Sequence, residues 1–539
     1  MWYKNWRQQA WAELNQPWDI IVIGGGITGA GILREAARAN LRVLLLEGRD
    51  FASGTSSRSS KLVHGGLRYL KNGQIMTTLH SVRERERLLE EGRGLITPLR
   101  FLFACYEGDG TPPWMMGLGL AVYDALGLHW GHRYYRTESF HKRWPLLDPE
   151  KLRGGFRYID AQTDDARLVL RVIREGVRDG GVALNYAHVE SLLRRQDGHI
   201  CGVVVRDVAP GAAAMPLELQ AHVVINATGA EADILRGNLG QAQHLRPLRG
   251  SHLVIPAHRL PLTRAVSFSH PIDHRPVMVI PWEGVVLFGT TDVDHHIPLT
   301  DEPAITTAEV DYLLEALHHT FPAQELTAAD VQATFAGIRP VVNTGKTDPS
   351  KESREHVVWQ EKGLLTVAGG KLTTFRVMAL DALKAVRPQL PGLGQLNRTN
   401  GRVLDAAARS TCTESELPLS TCVRLLGRYG DDAAALLTIS PQNEWQPIAN
   451  TPTLWAELRW AAYAEGVVHL DDLLLRRTRL GLLLPEGGLP WIDTIRTTVQ
   501  PELGWDDAHW QTEVDAYASR WHTAYSLPGK IAKIEFPHS

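Results

Sequence analysis

The chain has 539 residues, 44% hydrophobic and 22% charged, with a formal net charge of −3. That length predicts two or three domains, each with its own core, and the charge leaves no basic footprint for nucleic acid. No apolar run reaches the roughly 18 residues of a membrane span, and no secretory signal precedes the first elements.

The first 18 residues hold Trp2, Trp6, Trp11 and Trp18. Trp2 and Trp6 lie one helical turn apart and Ala10 continues the stripe. A helix packed on the protein body is the leading expectation, and a segment lying in a membrane interface is the other. Asp19–Ile23 reads as a buried strand, Ile27–Asn40 as a helix and Leu41–Glu47 as a second buried strand, which makes a β-α-β unit. Residues 80–93 contain Arg83, Glu84, Arg85, Glu86 and Arg87 in succession and predict a solvated helix with i,i+4 pairs. The apolar stretch Trp114–Tyr123 is rich in Gly and Met and too short to span a bilayer. A helix opens at Asp164, strands are expected at Val203–Val205 and His222–Asn226, and strand-like pieces with turn signals fill 245–295. Leu365–Lys371 reads as a strand entering a turn, Leu372–Ala385 as a helix and Pro388–Gly394 as a linker, beyond which the chain is helical. Cys105, Cys201, Cys412 and Cys422 form no C-x-x-C pair, which fits a reducing, cytoplasmic compartment. The 22 histidines include no HExxH and read as scattered side chains rather than metal ligands.

Gly24-x-Gly26-x-x-Gly29 follows a strand and opens a helix. Its glycines allow a tight turn and close approach to a pyrophosphate, and the helix N-terminus offers N–H groups to phosphates. Glu47, at the end of the second strand, is placed to accept from a ribose hydroxyl, which disfavours NADP. The run 55–69 adds the hydroxyls of Thr55, Ser56, Ser57, Ser59 and Ser60, then His64-Gly65-Gly66, where backbone can approach a flat ring, then Arg68 and Tyr69. Ala227-Thr228-Gly229 is a second strand end of small residues. Gly369-Gly370-Lys371 precedes a helix whose N-terminus would face the negative charge of a reduced flavin. Arg339, fixed before a proline, and Lys371 together would suit a dianion. Either cation alone reads better as a surface charge paired with a carboxylate.

These residues together resemble the FAD-dependent glycerol-3-phosphate dehydrogenases. The segments that carry the resemblance are IVIGGGITGAGI, LLLEGRDFASGTSSRSSKLVHGGLRYL, TDDARLVL, NATG, RGSHLVIP, GTTD, GIRP, AGGKLTTFR and LLRRTRLG, spread from Ile21 to Gly481. The resemblance implies an α/β fold: a glutathione-reductase-like FAD-binding Rossmann domain, a substrate domain with a mixed or antiparallel sheet, and an all-α C-terminal domain. The boundaries expected are 17–90 with 155–235 and 335–388, then 91–154 with 236–334, then 395–535.

The resemblance also implies FAD as cofactor and oxidation of glycerol 3-phosphate, with a membrane quinone or, alternatively, O2 as acceptor. FAD would be held by Gly24, Gly26, Ile27, Thr28, Gly29, Glu47, Thr55, Ser56, Ser57, Ser60, Lys61, His64, Gly65, Gly66, Ala227, Thr228, Gly229, Gly370, Lys371, Leu372 and Thr373. The substrate would meet Arg68, Tyr69, Arg339, Lys371 and Thr374. His64 is the candidate base for the C2 hydroxyl; its other reading is a hydrogen-bonding partner of the flavin. Peripheral membrane contact is expected through the N-terminal stripe or through Arg476, Arg477 and Arg479, and a homodimer stays open. Where the family often has Pro-Trp after the NATG strand end, this chain has Ala230 and Glu231.

Overall fold

The computed structural model describes residues 2–3, 6–67, 75–109, 112–127, 130–212, 215–345, 352, 355–390, 401–407 and 416–529. Strands Leu364–Ala368, Leu217–Asn226, Trp18–Ile23, Val43–Leu46 and Val182–Leu184 lie side by side and parallel, and Val357–Glu361 adds an antiparallel edge. Their apolar runs are buried on both faces, as a covered parallel sheet requires. Ile20, Val22, Val43 and Leu45 enter one core, while Ile21, Ile23, Leu44 and Leu46 enter the other. Helices Ile27–Arg38, Asp165–Arg178 and Phe375–Val386 cover the first face. They approach closely because Gly31 meets Phe375 and Gly176 meets Leu33 and Arg34 where a Cβ would collide. The hairpin Ala187–Arg194/Ile200–Asp207 covers the other face. Trp18–Ile23 sits between strands reached by connections in opposite directions, so its carboxyl end opens on the switch-point crevice where such sheets bind ligands.

The second sheet has ten strands, in the order Val293–Asp294, Leu245–Pro256, Val285–Gly289, Pro276–Trp282, Ala265–Ser269, Thr97–Tyr106, Leu152–Gln162 and Leu62–Val63. Ala333–Val342 lies beside Leu245–Pro256, and Arg133–Tyr135 beside Leu152–Gln162. It is antiparallel except where Ala265–Ser269 runs parallel to Thr97–Tyr106. Leu62–Val63 lies within a stretch expected in the nucleotide unit, and Leu152–Gln162 and Ala333–Val342 start in the other expected unit and end in it. The run 55–69 therefore gives a strand to the second sheet. Helix Thr307–Thr320, opened by a Thr306/Glu309 capping box, packs on one face. The other face packs on C-terminal helices through Trp282, Trp510 and Trp521.

The leading expectation for the N-terminus holds, and two other sequence expectations are corrected. The N-terminal tryptophans turn inward: Trp2 is buried, its indole N–H donates to the Ala183 carbonyl at 3.2 Å, and its ring stacks on Phe51. Arg7 pins the same helix, donating to Asp207 and to the Asn185 and Tyr186 carbonyls. Helix Ile75–Glu91 is not solvated all round, because Ser81, Val82, Glu84, Arg85 and Leu88 are buried. Arg476, Arg477 and Arg479 are not surface cations either. All three are buried: Arg477 holds Asp50 at 2.6 and 2.7 Å, Arg476 reaches Asp50 and Asp471, and Arg479 reaches Asp165. Repeated arginine in LLRRTRLG looks basic in one dimension, yet each guanidinium has a carboxylate brought from afar.

Candidate active site

A cavity of about 510 Å³ opens at the switch point, within the size range of small-molecule sites. Its floor is the turn Gly24–Gly29. Gly24 has φ +110°, and a Cβ there would lie 2.5 Å from the Ala227 carbonyl oxygen. A Cβ on Gly29 would lie 1.9 Å from the Gly24 oxygen, so strand and helix can close on each other only as glycines. Gly26 caps the helix with no side chain, which leaves the first N–H groups for an anion; that of Ile27 donates to Ser56 Oγ at 3.0 Å. Glu47 accepts from the N–H groups of Gly25 at 2.6 Å and Arg49 at 2.8 Å. Burial raises its carboxyl, and these two donors oppose the rise.

Most of the expected cofactor residues meet here. Gly24, Gly26, Ile27, Thr28, Glu47, Thr55, Ser56, Ala227, Thr228, Gly229, Gly370, Lys371 and Leu372 line the cavity. A glycine-floored cradle with bare helix N–H groups and an acid at the second strand end fits a dinucleotide such as FAD.

Other expected residues lie outside the lining and serve the loop. Ser57 is buried, and its carbonyl accepts from Lys61 Nζ at 3.0 Å and Arg479 Nη2 at 2.7 Å. Lys61 is corrected from cofactor ligand to loop anchor. Its fully buried ammonium sits 2.9 Å from Asp165 and over Phe335, and burial, then Arg479, lowers it to about 8. Ser59, itself on the cavity lining, donates to Asp165 at 2.7 Å, and Ser60 shares a 2.9 Å hydrogen bond with His252, whose ring stacks on Phe335. Sequence reasoning missed His252, Asp165 and Asp50. The segments RGSHLVIP and TDDARLVL carried the first two, but an acid opening a helix reads as a cap, a role that falls to Asp164 alone. Arg58, also missed, lines the cavity, buried and paired with Glu302. Glu231, the departure after the NATG strand end, pairs with Arg49 at the cavity mouth.

At the cavity's far end two diglycine turns meet. The Thr373 hydroxyl donates to the His64 carbonyl at 3.3 Å, which ties Gly369-Gly370-Lys371 to His64-Gly65-Gly66. Gly66, Gly369 and Gly370 all have positive φ. The Gly65 N–H donates to the Tyr123 hydroxyl at 2.8 Å, and a Cβ on Gly65 would strike that oxygen. Tyr123 donates to Asp160 at 2.9 Å, and Arg85 donates to both, which makes a buried Asp–Arg–Tyr cluster behind the turn. Burial, then Lys371 and Arg85, pull His64 down to about 3, so its imidazole is neutral at physiological pH. Lys371 Nζ donates to Ser81 Oγ at 3.0 Å. Arg339 donates to Asp292 at 3.0 Å and Thr290 at 2.8 Å and packs on Gly250. The two cations thus have different partners. Thr374 is buried and donates to the Lys371 carbonyl at 3.4 Å. Arg68 and Tyr69 lie outside the described residues.

Residues 19–392 match the family model of FAD dependent oxidoreductases, and residues 392–510 that of the C-terminal domain of alpha-glycerophosphate oxidase. A glycerol-3-phosphate dehydrogenase 2 of Mycobacterium tuberculosis is 36% identical over 536 residues, covering 95% of this chain and 90% of the relative. An aerobic glycerol-3-phosphate dehydrogenase of Staphylococcus haemolyticus is 33% identical over 491 residues, covering 86% and 87%. The solved glycerol-3-phosphate dehydrogenase of Bacillus halodurans, complexed with FAD, superposes with a TM-score of 0.78 at 28% identity and covers 97% of this chain and 98% of that one.

Proposed function

The chain belongs to the FAD-dependent glycerol-3-phosphate dehydrogenases, and from that membership we propose that it oxidises sn-glycerol 3-phosphate to dihydroxyacetone phosphate and passes the electrons to a membrane quinone. The meeting of the two diglycine turns beside Lys371 and a neutral His64 carries this reading. Bare backbone on both turns leaves room for a flat ring, and a cation next to it can hold an anionic substrate.

FAD, when bound, supplies the two-electron acceptor for the hydride on substrate C2. The chain's part is to bind, orient and move a proton. Lys371 and Arg339 hold the phosphate dianion, the one as a point charge and the other as a fork that exchanges part of its bonding to Asp292 and Thr290. Thr374 completes the substrate wall. A neutral imidazole nitrogen of His64 takes the C2 hydroxyl proton as the C–H bond breaks. A dianion beside Lys371 offsets the charge that depresses His64, which raises its basicity once substrate is present.

Anaerobic addition of glycerol 3-phosphate to the FAD-loaded protein bleaches the flavin absorbance on this reading, and failure to bleach rejects it. The match of residues 392–510 to an oxidase domain favours a second reading, in which O2 is the acceptor. Peroxide formed in air at the rate of flavin turnover, unaffected by added quinone, would establish the oxidase.

A further inference from the structure

We propose that five arginines on one face of the ten-stranded sheet, away from the cavity, bind a small soluble anion that carries two or more linked phosphate groups. The inference is independent of the reaction proposed above and of the residues that serve it.

Strand register brings the five together. Arg133 lies directly opposite Arg157. Arg157 is opposite Leu102, so Arg100, two residues before Leu102, projects from the same face and lies diagonal to Arg157. Ala265 is the register partner of Phe101, which sets Arg264 beside Arg100. The row crosses three strand spacings, about 14 Å. It shares its face with Leu102, Tyr135 and Val266, whereas Phe101, Tyr158 and Ala265 enter the core that holds the C-terminal helices. Arg143, the last residue of helix Thr137–Arg143, lies with Arg133 over the Tyr135 ring. Arg264 lies over Trp144, the residue after that helix. Arg100, Arg133 and Arg143 are exposed, and Arg157 and Arg264 are half-buried, so solvent reaches the row.

No group of the protein offsets this charge. Like charges directly opposite on a sheet destabilise it, and arginines withdrawn from solvent are ordinarily paired, as Arg246, Arg249 and Arg428 are here. Among the described residues none of the five has a carboxylate within ion-pair distance, and the buried Arg157 Nε has no hydrogen-bond partner. Burial, then Arg100, Arg157 and Arg143, hold Arg264 below its ordinary range. The chain as a whole carries −3, so composition does not account for the cluster.

Spacing and chemistry select the ligand. Guanidinium forks take phosphate oxygens in pairs, and arginine clusters recur where phosphate groups are recognised. An extended acidic peptide sets its same-side carboxylates about 6.6 Å apart, wider than the ~4.8 Å between neighbouring strands. Phosphates joined through a single oxygen lie closer together, and each can bridge adjacent arginines. The Tyr135 and Trp144 rings hold three of the forks in place through their faces.

The test is isothermal titration of the FAD-loaded full chain with inorganic triphosphate, with and without saturating glycerol 3-phosphate. The wild type binds one triphosphate, and glycerol 3-phosphate does not displace it. Arg133→Gln/Arg157→Gln, with a wild-type flavin spectrum, binds about tenfold or more weakly, the loss expected when charge-assisted hydrogen bonds are removed. Arg100→Gln, at an exposed position, also weakens binding and serves if the double variant does not fold. Arg194→Gln/Arg195→Gln, which removes the same charge from the exposed end of strand Ala187–Arg194, binds like the wild type. No binding by the wild type, displacement by glycerol 3-phosphate, unchanged binding in the Arg100 variant, or equal losses in the two double variants overturns the proposal. So does flotation of the wild type on phosphatidylglycerol vesicles without triphosphate binding, since the anion would then be a lipid headgroup.

Discussion

Tyr123→Phe removes a single oxygen that joins three groups behind the His64–Gly66 turn. The phenol accepts from Gly65 N–H and Arg85 Nη1, both at 2.8 Å, and donates to Asp160 at 2.9 Å. Arg85 keeps Asp160 at 3.0 Å, and Gly65 keeps only a longer contact to Asp160 at 3.3 Å. Two of the three lost bonds involve charged groups, worth ~1.5–3 kcal/mol each before the surviving partners compensate, so the net loss is about 2–4 kcal/mol. Asp160, already raised by burial against the pull of Arg85 and Tyr123, rises further. Urea unfolding of the holoprotein reads the loss as a lowered midpoint. Stopped-flow anaerobic flavin reduction reads the loosened turn as a slower hydride step at saturating substrate. A variant within about 0.5 kcal/mol of wild type, with an unchanged reduction rate, would refute the claim that this cluster sets the turn.

Arg339→Ala weakens glycerol 3-phosphate binding by ~2–5 kcal/mol, read from the substrate dependence of flavin reduction; unchanged affinity removes Arg339 from the phosphate site. His64→Gln slows single-turnover flavin reduction if His64 takes the proton, and a normal rate leaves it only a structural role. Gly24→Ala abolishes FAD binding, because its φ of +110° and the Ala227 oxygen at 2.5 Å both exclude a Cβ, whereas Gly237→Ala, away from the cavity and with nothing within 4 Å, binds FAD normally in a fluorescence titration. Burial raises the Asp164 carboxyl, but Arg428, Arg479, Lys61 and Arg167 overcome it and bring it to about 2, from 3.8. The folded value is the lower one, so this stabilisation is present above the unfolded value and fades as pH falls towards 2; it amounts to about 2 kcal/mol. Asp164→Asn, which keeps a capping side chain, therefore costs stability at pH 7 and progressively less in acid urea titrations.

The nucleotide cradle was legible in the sequence because its chemistry is local: strand, glycine turn, helix and Glu47 follow one another within one β-α-β unit. The meeting of His64-Gly65-Gly66 with Gly369-Gly370-Lys371 was legible only as two separate motifs, since more than 300 residues intervene. Long-range charge pairing was opaque. Lys61 and Arg479 look like ligands or surface charge until Asp165 is placed between them, and Arg85 looks solvated until Asp160 arrives from strand Leu152–Gln162. Periodicity reports which face of an element is apolar, not which buried ion will meet it. At helix 113–127 length alone ruled out a membrane span, and periodicity gave no sign that its outer side would be exposed.

The buried arginines near the C-terminus also impose an order of events on a chain made from its N-terminus. Asp50 is synthesised long before Arg476 and Arg477, which neutralise it, and Asp165, paired early with Lys61, is made long before Arg479. On the ribosome the Ser57 carbonyl waits more than 400 further residues for the Arg479 guanidinium that donates to it. Cofactor capture therefore belongs at the end of synthesis, and a nascent chain stopped before residue 476 has its glycine turn but no finished loop to close over it.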